Sequence, residues 1–234
     1  LGAAATVELA WSVFAESVER LGGKSVVYGF FPKTIGRSLS SEILSLSSHP
    51  EEFNRLYLEE GYIDHDPYAH YCMLEEHKTL SWGDPRAEKF RTSRFSLFEH
   101  AMKEFGLVHG VTVPLRDAAD VKLGGTGIAL DVSETSSSET LLKANLPLIE
   151  NAAMLFHARV QEPDLMRQVF SLSEREKECL LWVSAGLTNK EIAFKLSLST
   201  KTVELHIRNA AQRLNARNRS HAVARALIYD VISP

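Results

Sequence analysis

His65, Asp66 and His70 fall within one six-residue span, a grouping of types suited to acid–base chemistry or metal ligation. Nothing around them supports either use. No nucleophile motif, repeated ligand spacing or glycine-rich phosphate loop accompanies the set. The chain therefore reads as a protein without catalysis, cofactor or metal. Asp66 has a simpler role: it can cap a helix whose first turn Pro67 fits. A second set carries charge. Lys201, Glu204, Arg208 and Arg213 share a segment whose apolar positions are Val203, Ile207 and Leu214. That spacing gives a helix with one polar, basic face. A helix about 10–12 Å wide fits a DNA major groove about 12 Å across.

The elements that must position these residues divide by charge. The 234 residues carry a net charge of -4. Residues 1–166 hold 15 Lys and Arg against 24 Asp and Glu, and residues 167–234 hold 11 against 6. A sign change between segments points to two domains, the basic one facing a polyanion. With 44% hydrophobic and 24% charged residues, a packed core is expected. Cys72 and Cys179 each sit in an amphipathic run, which reads as packed, reduced thiols and not a disulfide scaffold. No apolar run approaches the ~18 residues that span a bilayer. No basic segment leads into an apolar stretch at the start, so no membrane partner and a cytoplasmic setting are expected.

In the first 160 residues helices and strands alternate without a regular βαβ rhythm. Residues 3–21 read as a helix stopped by Gly22 and Gly23. Residues 25–31 read as a strand, and 32–48 as strand plus loop. Helices are expected over 50–62, from Asp66-Pro67 onward, and over 93–105. Strands are expected over 79–82, 108–115 and 127–132, with a turn region at 117–125, then a long helix over 136–159. These elements make an α+β fold: an α-β-α layered domain with a mainly antiparallel sheet. Residues 161–170, with Pro163, read as a linker. Residues 171–234 read as an all-α unit of four short helices. Ser173 with Glu176, and Thr188 with Glu191, form two capping boxes, and Ser197-Leu198-Ser199 makes a tight turn between two helices.

Residues 172–227 resemble the helix-turn-helix domains of the LuxR/GerE family. The residues that carry the resemblance are Glu176, Leu180, Gly186, the run Asn189 to Ala193, and Thr202, Val203 and His206. It implies a four-helix domain that binds double-stranded DNA through its third helix. Glu204, Leu205 and Arg208 match positions that reach base edges. A guanidinium can bond guanine bidentately, which favours Arg208. Lys190, Lys201, Thr202, Thr188 and the Arg217–Arg219 region match phosphate-holding positions.

Ahead of it, Phe53, Tyr57, Asp66, Pro67, Trp82 and Gly110 are similar in order and spacing to the signature of the autoinducer-binding domain in the quorum-sensing branch of that family. The resemblance implies a small-molecule autoinducer, an N-acyl homoserine lactone. Asp66 would accept from its amide N–H, Tyr57 would donate to its acyl carbonyl, Trp82 would pack on the lactone, and Phe98 would lie over the ring. Tyr28, Phe30, Val111, Val113, Ile128 and Leu130 are expected on the strand face that lines the pocket. One position departs. Phe53 stands where the family has a Trp whose indole donates to the lactone carbonyl, and phenylalanine has no donor. Losing one such bond typically costs about 0.5–1.5 kcal/mol. Two readings remain: an acyl homoserine lactone served by another donor or a water, or a different apolar ligand or none. The resemblance also implies a homodimer, with residues 136–159 as its main contact, and an encounter with RNA polymerase. A receiver domain would need an acidic pair near its start, yet the first 30 residues contain no Asp.

Overall fold

The computed structural model describes residues 1–32, 44–73, 78–116, 122–131 and 135–233. They form two compact units, Leu1–Ala4 with Glu8–Arg159 and Ala5–Val7 with Val160–Pro234. The expectations for 33–43 and 117–121 lie outside the described residues.

The first unit is built on one five-stranded sheet, in order β2-β1-β5-β4-β3. Its strands are β1 (Ser25–Pro32), β2 (Leu44–Ser47), β3 (Leu80–Ser81), β4 (Gly110–Arg116) and β5 (Lys122–Ala129). Every pairing is antiparallel. One sheet face is covered by α1 (Val7–Arg20) and α5 (Thr135–Val160). From α5, Ile149, Ala153, Phe156 and Val160 are buried at helical spacing. Phe156 stacks on Phe14 of α1 at 4.7 Å and meets Tyr28 of β1 edge-on at 4.8 Å. The other face carries α2 (Glu51–Glu59), α3 (Pro67–Tyr71) and α4 (Phe95–Glu104), with short 3-10 turns at Tyr62–Asp64 and Pro85–Phe90.

Strand parity corrects the expected pocket lining. Tyr28 pairs with Thr126 and Thr126 with Val113, while Val26 pairs with Ile128 and Ile128 with Val111. Tyr28 bonds His157 of α5 at 2.8 Å, and Ile128 packs beside Val18 of α1 around Gly23. Tyr28, Phe30, Val111, Val113 and Ile128 therefore face α1 and α5; Leu130 follows the end of β5. Side chains alternate along a strand, so the opposite face belongs to Val27, Gly29, Phe31, Gly110, Thr112, Gly127 and Ala129. Apolar runs on both faces hide the parity in the sequence. β5 also starts at Lys122, inside the segment expected as a turn; its glycines are strand residues under close neighbours. A Cβ on Gly125 would lie 2.3 Å from Cys72 Sγ.

The second unit holds α6 (Pro163–Phe170), α7 (Glu174–Ser184), α8 (Asn189–Leu196), α9 (Thr200–Arg213) and α10 (Arg219–Ile228). The segment expected as a linker is thus largely helical. Pro163 suits the first turn, and Leu165, Met166 and Phe170 are buried on one side. Phe170 packs on Tyr229 at 4.7 Å. Both capping boxes form. The core joins Cys179, Ile192, Ala193, Val203 and Ile207.

Candidate functional site

In the first unit the six residues singled out in the sequence come together. Phe53 and Phe98 belong to one buried cluster with Tyr62, Met102, Leu107 and Ala129, against which Tyr57 and Trp82 pack. The Phe53 ring lies 5.9 Å from Tyr57 and 5.6 Å from Phe105; Phe98 meets Tyr57 and Tyr62 at 5.9 and 5.7 Å. Tilted and edge-on pairs of this kind are worth about 0.5–1.5 kcal/mol each beyond area burial.

The polar centre is a pair. Tyr57 O–H donates to Asp66 Oδ2 at 2.8 Å. Asp66 Oδ1 accepts from the backbone N–H of Tyr68 at 2.8 Å and of Ala69 at 3.2 Å, which caps α3. Asp66 therefore caps α3 with one oxygen and accepts from Tyr57 with the other. Burial pushes its carboxyl above the ordinary range, opposed by the Tyr57 hydroxyl and the two backbone donors. Burial, then the charge of Asp66, holds the Tyr57 phenol well above its usual value, so it stays a donor. Burial also pushes the Cys72 thiol up to about 12. The Tyr57 hydroxyl that the resemblance assigns to an acyl carbonyl is thus engaged by Asp66.

Trp82 lies over the strand on the same sheet face. Its indole N–H donates to Thr112 Oγ at 3.0 Å, and its ring stacks with Tyr68 at 5.8 Å. Gly110 makes this approach possible: a Cβ there would lie 2.8 Å from the Trp82 ring and 2.3 Å from the Ile128 carbonyl. Thr112 was missed in the sequence, although it lies two residues from Gly110 and so shares its face. Tyr68 and His49 were missed as well. His49 sits between β2 and α2, buried, with its ring edge-on to Phe53 at 5.9 Å and Nδ1 2.7 Å from Ser25 Oγ. Burial lowers its pKa to about 4, so its imidazole is neutral at pH 7. His65 bonds Thr92 at 2.9 Å and does not join this centre. Among the described residues, no group of three or more His, Cys, Asp or Glu could hold a metal ion.

In the second unit Ser199 caps α9, accepting from Thr202 N–H at 3.1 Å, and Ser197 turns the chain in the left-handed conformation at φ 55°. Val203, Ile207 and Ala210 face the core. Lys201, Glu204, Leu205 and Arg208 are exposed on α9, Thr202 is half-buried at its first turn, and Lys190 is exposed on α8. Glu204, Arg208 and Gln212 line a groove with Asn189, Arg217 and Arg219. Two arginines are tied within this unit. Arg219 donates to Asn189 Oδ1 at 2.8 Å and to the Leu187 carbonyl at 2.6 Å, tying α10 to the loop before α8. Arg213 donates to the Ser171 carbonyl and lies 3.7 Å from buried Glu176, which anchors the end of α9. Both guanidiniums have intramolecular partners.

Family models match both units: an autoinducer binding domain over residues 6–160, and the luxR family of bacterial regulatory proteins over residues 170–226. The chain belongs to the LuxR family. It is a ligand-responsive, DNA-binding transcription regulator of the quorum-sensing type. Among curated relatives, the transcriptional activator ExpR of Pectobacterium parmentieri is 26% identical over 86% of this chain and 84% of its own length. LuxR of Aliivibrio fischeri is 24% identical over 83% and 77%. Among solved structures, Escherichia coli SdiA matches with a TM-score of 0.54 and 22% identity, covering 97% of this chain and 92% of that one. CepR2 of Burkholderia cenocepacia, described as N-acylhomoserine lactone dependent, matches with a TM-score of 0.50 and 22% identity over 68% and 90%. These two likenesses concern the fold.

Proposed function

We propose that this LuxR-type regulator senses an N-acyl homoserine lactone in its first unit, and that the lactone sets its hold on DNA. The observation that carries this reading is the Tyr57–Asp66 pair inside an aromatic cluster. An acyl amide presents one N–H and one carbonyl, and the pair offers one acceptor and one donor. The aromatic surroundings suit a fatty tail. Asp66 accepts the amide N–H, Tyr57 donates to the acyl carbonyl, Trp82 and Phe98 flank the ring, and Phe53 and Gly110 shape the space. The protein works without catalysis or cofactor. Mass spectrometry of full-length protein purified from cells fed mixed acyl homoserine lactones tests the reading. A lactone retained at near-equal stoichiometry is expected; folded protein carrying none overturns it.

A second reading rests on Phe53. It removes the indole donor and favours a head group other than the lactone. SdiA, a fold neighbour, has been solved with octanoyl-rac-glycerol, an ester without a lactone ring. Retention of another apolar molecule in the same mass spectra would select this reading.

On the DNA side, Arg208, Glu204 and Leu205 read bases while Lys190, Lys201 and Thr202 hold phosphates. The regulator acts as a homodimer in the cytoplasm and contacts RNA polymerase at its promoters. The support for dimerisation is a row on α5: Leu141, Leu148 and Leu155 recur every seven residues and are 48%, 57% and 62% exposed. A seven-residue apolar repeat pairs helices. Leu148→Glu is expected to shift the mass in solution from dimer to monomer; an unchanged dimer sinks the assignment to α5. Among the described residues no helix is long and apolar enough to cross a membrane.

A further inference from the structure

We infer that His49 is the head-group donor of the ligand site, taking the place left empty by Phe53. The inference rests on the reading of the first unit as an acyl-amide pocket. Phe53 cannot donate, so a carbonyl on a bound ring needs another partner or stays dry. Of the rings that touch Phe53, Tyr57 is the one assigned to the acyl carbonyl and Phe105 is apolar, which leaves the imidazole of His49 for the ring carbonyl.

The backbone places His49 for this. Ser25 of β1 pairs with Ala129 of β5, and Ala129 belongs to the Phe53 cluster. Ser25 shares the parity of Val27, hence the sheet face that carries Trp82 and Thr112. The Ser25 hydroxyl lies 2.7 Å from Nδ1 of His49. The His49 carbonyl accepts from Asn54 Nδ2 at 3.0 Å, and its N–H donates to Ser47 Oγ at 3.1 Å, so the residue is fixed on both sides. Nε2 has no hydrogen-bond partner among the described residues. Ser25 Oγ and Nδ1 can each take either role in that bond; with Ser25 assigned as donor, the single ring proton of neutral His49 sits on Nε2. Burial keeps the imidazole neutral at physiological pH, so it meets a neutral head group without placing a charge beside Asp66 and the aromatic rings. The ligand class is an acyl amide whose head carries a carbonyl.

Two probes separate this bond from the rest of the pocket: N-octanoyl homoserine lactone and N-(tetrahydrofuran-3-yl)octanamide, which keeps tail, amide, ring size and ring oxygen but lacks the ring carbonyl. Both are titrated calorimetrically into the full chain. Wild type is expected to prefer the lactone by roughly 2–10-fold, the worth of one neutral hydrogen bond. His49→Phe is expected to abolish the preference while leaving the octanamide unchanged, and His49→Phe with Phe53→Trp to restore it. A preference that survives in His49→Phe, or an equal loss for both probes, overturns the role of His49 alone. If folded wild type binds neither probe, the acyl-amide reading fails and the inference falls with it. Should His49→Phe lose cooperative unfolding, the imidazole 15N resonances of the wild-type protein report on the same bond. The lactone must shift His49 Nε2 and the octanamide must not; equal shifts, or none, overturn the inference.

Discussion

Asp66 does two jobs that conflict electrostatically. Its cap bonds and its Tyr57 bond favour the carboxylate, yet burial dominates and raises its pKa. A carboxyl raised in the folded state contributes stability below its unfolded pKa and loses it as pH rises through the folded value. The raised pKa of Asp66 therefore takes stability away as pH climbs from acid. Asn caps helices about as well and can still accept from Tyr57. Asp66→Asn is expected to hold or raise the unfolding midpoint of the empty protein at pH 7. It is also expected to lose roughly tenfold in acyl-amide affinity, the difference between a charged and a neutral acceptor. Thermal unfolding and calorimetry of the same sample check both signs. His49 behaves oppositely. Its pKa falls from 6.5 unfolded to about 4 folded, so its contribution is present above pH 6.5 and lost as pH falls through 4. That is on the order of 3 kcal/mol. Urea unfolding of wild type against His49→Phe, between pH 7 and 4, should show a flatter pH slope in the variant.

At the scale of elements, α9 depends on its start. Ser199→Ala removes the bond to Thr202 N–H and is expected to destabilise the second unit by about 1 kcal/mol, read as a lower midpoint of its unfolding. Caps of this kind were the part of the fold most legible in sequence. Ser173, Thr188 and Asp66 mark helix starts by local chemistry, which needs no tertiary knowledge. The antiparallel sheet was legible from alternating strand and helix patterns. The facing of its strands was not, because β4 is buried along nearly its whole length and gives no polar side to read. The helix Pro163–Phe170 was masked by its proline, which marks a break or a first turn with equal force. The six residues that the family resemblance assigned lie together in the structure. His49 and Thr112 were not assigned, since they belong to no motif and enter the site through sheet pairing and the packing of Phe53.

At the scale of the whole molecule, the DNA-binding domain lies in the basic half, residues 170–226. Affinity for any duplex should fall as salt rises. Arg208→Ala is expected to cost about 1–3 kcal/mol at the operator and little on random duplex, because it removes a base contact. Lys201→Ala is expected to weaken both alike and reduce the salt slope by about one. Fluorescence anisotropy on operator and scrambled duplex across a salt series separates them. A guanidinium without base contacts would leave the operator preference of Arg208→Ala intact. Ligand that binds only the folded first unit should raise its melting temperature with concentration.

The hydrogen bond between Tyr57 and Asp66 means that the two groups already satisfy each other. A visitor offering only a carbonyl must take the phenol away from the acid and strand it, so it exchanges one contact for another. A visitor offering both halves of an amide lets each partner trade up together. On the acyl-amide reading the pair works as a two-key lock: a ligand that both gives an N–H and receives an O–H is favoured over one that offers only half, however well its tail fits.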